Sequence, residues 1–554
     1  MAECDNAAAT LLNDALPRAI QLPEVLNNIF SFCSTAVLLR CALVSRLWSD
    51  IALDHIWGFD PPFMALIMLL GPVGSVTSKR MPRRLKFTRV IKVEDWEHFS
   101  SYARRVRSFD LATTFQTEPQ GEIDDILCTL ALSRPTLSKL PNVDALTIDG
   151  DRGEIWLRSA GLFLRPGLST IKISNNGQKL LPALFGQITD RSTLLTKLVI
   201  ETDLSVFHFI DDFERMLSGL QGLRSVHLPS YTMTSRVLDI LATLPHLTVA
   251  YSSRPTYACA DGWSNVESLQ IKVQEGVFSS LSTLRLQGSL IHIANMASSS
   301  HGFATKLETF DIDIVSKESE MSLQRFLDSL SESCPDIRSL RFHLPLFMTD
   351  LYRDVPEDPI TYGTLATITK FKALECFSLS FVQRIDISDH ELISLLSECE
   401  KLKHLDLNCE PWSLGMPALS LGFMSLLPAT CQLETLSVYV DAKRLDNLQM
   451  NAPRLRKLKK LCLGISPSED TGPVALYLSG ILPERCVLDV NPRLPTSSVN
   501  RNHPSYAIIY WTRERRKKWE SIRDMLPLLL EARSLERQSV MRALRGESLD
   551  ESLN

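Results

Sequence analysis

The 554-residue sequence predicts an α/β chain: a small N-terminal helical module, then an irregular solenoid with parallel strands on its concave face and helices on its convex face. Two patterns carry the prediction. Residues 22–52 hold two apolar stripes at helical spacing around a short polar break. From residue 105 onward, a triplet of apolar residues at i, i+3 and i+5 recurs almost to the C-terminus.

The module begins at Leu22-Pro23-Glu24-Val25-Leu26-Asn27-Asn28-Ile29-Phe30. Proline costs nothing at a first helical position, because its missing N–H would be an unpaired donor anyway, and Glu24 complements the positive end of the helix dipole. Leu26, Ile29 and Phe30 fall at i, i+3 and i+4. Val44, Leu47, Trp48 and Ile51 repeat the stripe after the break at Cys33-Ser34-Thr35, where Ser34 or Thr35 can cap a second helix. About 40 residues is near the lower limit for unaided folding, so this much apolar surface predicts a partner.

The Leu-Pro-Glu start, paired with Leu43-Val44-Ser45-Arg46-Leu47-Trp48-Ser49-Asp50, resembles the F-box. The resemblance implies a Skp-family adaptor as partner, and through it the cullin and RING subunits of a ubiquitin ligase. It implies that Leu22, Pro23, Leu26, Ile29 and Phe30 contact the adaptor, with Val44 and Trp48 packing the helices and completing the surface.

The apolar run Phe63–Leu70 is broken by Gly71-Pro72, is too short to cross roughly 30 Å of hydrocarbon, and reads as a buried helix. The stretch from Glu94 to Arg107 reads as a helix with an aromatic inner face, Trp96, Phe99 and Tyr102, and an arginine-rich outer one. It resembles the connector of many fungal F-box proteins. Such a helix would cap the open end of the solenoid and fix its angle to the F-box.

The triplets run Val143-Leu146-Ile148, Leu168-Ile171-Ile173, Leu195-Leu198-Ile200, Leu223-Val226-Leu228, Leu244-Leu247-Val249, Leu281-Leu284-Leu286 and Leu307-Phe310-Ile312. They continue with Ile337-Leu340-Phe342, Leu374-Phe377-Leu379, Leu402-Leu405-Leu407, Leu433-Leu436-Val438 and Leu458-Leu461-Leu463. Val106-Phe109-Leu111 is a candidate first copy and Val487-Leu488-Asp489-Val490 a frayed last one. Each i+3 to i+5 segment reads as a short strand, with helical stretches between, such as Ile123–Leu132, Phe209–Leu220 and His390–Cys399. Each coil buries its apolar face only against its neighbours.

This region resembles a degenerate leucine-rich-repeat domain. That family places Asn or Cys three residues beyond the last strand leucine. Asn176 fits, Asp151 and Asp203 substitute, and most other copies have nothing suitable. The expected organisation is a flexible N-terminus (1–18), an F-box (19–62), a helical connector (63–104), the repeat solenoid (105–495) and a charged helical segment (496–554).

Net charge −5, from 59 Lys+Arg against 64 Asp+Glu, gives no general attraction for nucleic acid or anionic lipid. The 12 cysteines are scattered without metal-ligand spacing and read as buried thiols of a reducing compartment, with cytoplasm and nucleus both open. The first residues lack the basic region of a secretory signal. No metal or cofactor is expected. Catalytic signatures are missing: Gly71-Pro72-Val73-Gly74 has no Lys-Ser/Thr ending, His227 and His404 lie inside strand motifs, and Asp124-Asp125 and Asp211-Asp212 sit at helix starts. Two segments are candidates for specificity. One is the Pro345–Phe371 insertion, expected as a surface loop. The other is the run Trp511–Trp519, starting a helix interrupted at Pro527 and resuming to about Leu544, whose basic residues fit an import signal, a substrate contact or a solvated cap.

The expected function is that of a non-catalytic, substrate-recognition subunit of an SCF-type (Skp-cullin-F-box) ubiquitin ligase, with an unidentified protein target. The alternatives are an interaction scaffold whose F-box binds the adaptor without cullin or not at all, and an enzyme with an unrecognised site in the repeats.

Overall fold

The computed structural model describes residues 22–78, 81–111, 123–133, 139–150, 154–175, 180–202, 204, 208–229, 232–253, 278–298, 304–344, 358–411, 415–427, 431–443, 455–490 and 506–544. The expected flexible N-terminus, Asp151, Asn176, Asp203 and residues 345–357 of the insertion lie outside them. The chain divides into two compact units, residues 1–229 and 230–554.

The first unit starts with α1 (Pro23–Ser31), α2 (Thr35–Cys41) and α3 (Arg46–Gly58). Pro23 sits in the first turn of α1. Ser34 precedes α2 without a side-chain cap, whereas the Ser45 hydroxyl caps α3 by accepting from the Trp48 N–H at 3.3 Å. Next come α4 (Phe63–Met68), buried as expected, the antiparallel hairpin β1 (Val73–Ser78) and β2 (Met81–Phe87), and α5 (Val93–Ala103). The connector is therefore not wholly helical. Gly71-Pro72 stops α4, and the β-branched Val73, Val76 and Thr77 favour a strand. In α5, Trp96 and Phe99 are buried, and Tyr102 packs against Trp57 of α3 at 5.1 Å. Asp95 accepts from the Lys92 N–H at 2.7 Å and pairs with Arg89, which holds its carboxyl well below the usual range.

Strand and helix then alternate: β3 (Ser108–Asp110), α6 (Asp124–Leu132), β4 (Ala145–Asp149), α7 (Glu154–Ser159), β5 (Thr170–Asn175), α8 (Leu181–Arg191), β6 (Lys197–Thr202), α9 (Ile210–Gly219) and β7 (Ser225–Pro229). The strands are parallel, and the i+3 residues Phe109, Leu146, Ile171, Leu198 and Val226 stand opposite one another in consecutive strands. All are buried, and alternation sends i+4 side chains to the other face.

The second unit continues with α10 (Ser235–Thr243), β8 (Val249–Ser253), β9 (Thr283–Gly288), α11 (Leu290–Ser298), β10 (Thr309–Ile314), α12 (Glu320–Ser333) and β11 (Ser339–His343). It proceeds through β12 (Ile360–Thr361), α13 (Tyr362–Ala366), β13 (Cys376–Leu379), β14 (Ile385–Asp386), α14 (Asp389–Glu398), β15 (His404–Leu407), α15 (Phe423–Leu426) and β16 (Thr435–Val438). It closes with β17 (Lys460–Cys462), α16 (Thr471–Ile481), β18 (Val487–Asp489) and α17 (Tyr506–Leu544). Here Ala250, Leu284, Phe310, Leu340, Phe377, Leu405, Leu436, Leu461 and Leu488 form the parallel in-register row. Each unit thus has leucine-rich-repeat-like architecture, coil by coil.

Three details differ from expectation. The triplet read at Leu244-Leu247-Val249 stands three residues later, at Leu247, Ala250 and Ser252, all at most 1% exposed, because small residues replace the usual leucines. The end of the 345–371 insertion is regular: β12 pairs with β14 and leads into α13. Pro527 does not interrupt α17, since Trp519, Ile522, Leu526 and Leu530 form one buried stripe on both sides of it and offset the lost backbone hydrogen bond.

Candidate functional site

The α1–α3 module has a small core. Leu26, Phe30, Leu38 and Ala52 are buried, and Cys33, Cys41, Ala42, Trp48, Ile51 and Ile56 pack around them. The rings of Phe30 and Trp48 meet edge to face at 5.4 Å. This corrects part of the expected adaptor surface. Leu26 and Phe30 are 0% and 1% exposed, so their work is to hold the helices together. Trp48 is half-buried against the same core.

Leu22, Pro23, Ile29 and Val44 are exposed. Beside them in sequence stand side chains that it missed: Phe32 at 91% and Leu43 at 87% exposure, with Val37, Leu39 and Leu47 also open. Their signal was position, since both Phe32 and Leu43 follow the last turn of a helix, where the i, i+3, i+4 stripe no longer points inward. So many exposed large apolar groups on a module of three short helices mark an interaction surface.

The sheet faces opposite the helices are polar. In the first unit Lys172 reaches Glu201 at 3.0 Å, Ser174 donates to Glu201 at 3.0 Å, and burial with nearby Lys197 lowers the pKa of His227. In the second unit one ion pair is enclosed, while Arg341 beside Asp311 stays 42% exposed. Arg285 forks onto Asp313 at 3.0–3.1 Å with both side chains under 10% exposed, and Ser378 donates to Asp406 at 3.1 Å. His404 Nδ1 lies 2.8 Å from the Thr435 hydroxyl, and Asp124, Asp125, Asp211 and Asp212 occupy first turns of helices. Among the described residues no three His, Cys, Asp or Glu side chains cluster to hold a metal, and no helix is long and apolar enough to cross a membrane.

At two turns of the second unit buried polar side chains bond the backbone, one of them at the position expected of the repeats. Ser466, three residues past Leu463, is fully buried and accepts from the Val440 N–H at 2.9 Å. Asn408, directly after β15, accepts from the Phe381 N–H and donates to the Gln383 carbonyl. At the other end, α17 docks through Trp519 Nε1, which donates to the Ser466 carbonyl at 2.8 Å, and through Arg515 and Lys518, which donate to the Ile465 and Ser468 carbonyls at 3.1 and 2.8 Å. Two residues of the basic run thus serve as anchors.

Among known families, the F-box-like model matches residues 23–58. The N-terminal module is an F-box-like domain. It covers α1 to α3, and a repeat-built region follows it. No curated protein matches the chain. Among solved structures, the yeast Rad7 and Elc1 complex is similar at 14% identity over 83% of this chain and 96% of that one, with a TM-score of 0.36.

Proposed function

We propose that the chain is a substrate-recognition subunit of an SCF-type ubiquitin ligase, itself without catalytic activity. The observation that carries this reading is the F-box-like domain with Leu22, Pro23, Ile29, Phe32, Leu43 and Val44 turned outward. These side chains dock a Skp-family adaptor, which joins the chain to cullin and RING subunits. Leu26 and Phe30 support that surface from beneath. The repeats supply the arm that binds a protein target, for which the half-exposed polar face around Lys172, Glu201 and His227 is the available surface in the first unit.

The test is co-purification of the full chain with Skp-family adaptor, then with cullin. Capture of both supports a ligase subunit. Capture of adaptor without cullin, or of neither, would leave an interaction scaffold.

A further inference from the structure

The F-box-like domain joins the first repeat by a compact set of polar contacts. Arg105, between α5 and β3, lies across α3 with its side chain 14% exposed. Its Nη1 donates to the Asp50 carbonyl at 3.0 Å and to the Asp54 carboxylate, and its Nη2 donates to Asp50 Oδ1 at 2.8 Å. Burial disfavours the charged guanidinium, and the Asp50 and Asp54 carboxylates more than offset it, raising its pKa.

Just beyond, the end of α3 runs onto the edge of the sheet. The Arg107 N–H donates to the Gly58 carbonyl at 2.8 Å, and the Asp60 N–H donates to the Ser108 carbonyl at 2.9 Å. The Ser108 hydroxyl donates to Asp60 Oδ1 at 2.7 Å, and Phe59 bridges Ser108 in parallel. Asp60 is held at φ 49°, a conformation uncommon for a residue with a side chain. Beside these contacts is an open cavity of about 460 Å³ whose lining includes Asn27, His55, Arg107 and Asn142. Apart from Phe59, which is 66% exposed, the cavity is lined by polar residues, so on this side the join depends on directed polar contacts.

We infer that Arg105 is a positioning residue: it locks α3 onto the first repeat strand, so that the F-box-like domain and any adaptor on it keep one orientation to the repeats of the first unit. A planar fork bonded at three points resists rotation in a way that a lysine ammonium cannot reproduce. Without it, Phe59-Asp60 becomes a hinge. Fixed orientation matters for group transfer, where misplacement by about 1 Å can cost on the order of a hundredfold in rate. The consequence for the adaptor rests on the proposed function. The lock itself does not.

The test uses the full chain as wild type, Arg105→Ala and Arg105→Lys. In hydrogen exchange, peptides spanning residues 56–62 and 104–110 should exchange at least tenfold faster in R105A, and by an intermediate amount in R105K. Peptides over α1–α2 and β5–β7 should be unchanged. With adaptor, cullin, RING and conjugating enzyme added, R105A should keep adaptor affinity within twofold of wild type. Ubiquitin on the chain's own lysines should spread to new positions, with the leading site losing at least threefold. Unchanged exchange at 56–62 and 104–110 would overturn the lock. So would a rise of equal size across α1–α3, which would mark a purely structural role. An unchanged lysine pattern with faster exchange would overturn the positioning role. If the wild type fails to bind adaptor, the proposed function falls, and exchange alone decides the lock.

Discussion

Phe30 and Phe32 are the same residue type two positions apart, and their burial is opposite. Phe30 is 1% exposed in a core with only three other fully buried side chains, Leu26, Leu38 and Ala52. Truncation of a buried phenylalanine costs about 3–5 kcal/mol, and loss of the edge-to-face contact with Trp48 falls within that sum. Whole domains are stable by only about 5–15 kcal/mol, and a module this small sits at the low end. Phe30→Ala should therefore leave α1–α3 largely unfolded in the full chain while the strand–helix coils stay intact. Phe32 is 91% exposed, so Phe32→Ala should change stability by no more than about 0.5 kcal/mol. It should instead weaken adaptor binding by about 1.5–3 kcal/mol, on the order of ten- to a hundredfold. Hydrogen exchange over residues 23–58 and titration calorimetry with purified adaptor read the two effects separately. Protected α1–α3 amides in F30A, or unfolding in F32A, would refute the assignment of core and surface.

Three further outcomes follow from the geometry. Trp519→Ala removes a buried ring and its bond to the Ser466 carbonyl, so α17 should become susceptible to limited proteolysis and the second unit should lose about 3–5 kcal/mol in denaturant unfolding. Arg285→Met removes the guanidinium that forks onto the buried Asp313 carboxylate and should cost about 3–5 kcal/mol, whereas the double change R285M/D313L should recover most of it, which a double-mutant cycle measures. For His227, burial first and Lys197 second lower its pKa below the ordinary 6.5. The first unit should keep its full stability above pH 6.5 and lose stability as pH falls through the folded value, because the unfolded state takes up the proton more readily. His227→Gln should flatten that slope in thermal melts between pH 7 and pH 5.

Much of the fold was legible because one physical demand repeats. Every coil needs an inward pair of apolar side chains two residues apart and another three residues earlier. The pattern failed at β8, where Ala250 and Ser252 fill the inward slots and nearby Leu244 offers a false frame. The hairpin β1–β2 was missed because a neighbouring apolar run and an amphipathic helix on either side drew the whole segment into one helical reading. The exposed apolar residues of α1–α3 were only partly legible. Helical periodicity places Leu26, Ile29 and Phe30 on one stripe, but tertiary packing against α2 and α3 decides which of the three is enclosed, and no local spacing shows that Ile29 stays 45% exposed while Leu26 is fully buried. The Arg105 contacts were invisible for the same reason, since Asp50 and Asp54 lie about fifty positions away in sequence.

The most direct measurement is the affinity of the full chain for purified Skp-family adaptor, with wild type beside the surface variant Ile29→Ser/Val44→Ser and with folding of each checked by hydrogen exchange. Tight binding by the wild type, and its loss by about a hundredfold or more in a variant whose α1–α3 amides remain protected, is the predicted result. No binding by the wild type, or equal binding by the folded variant, would contradict it.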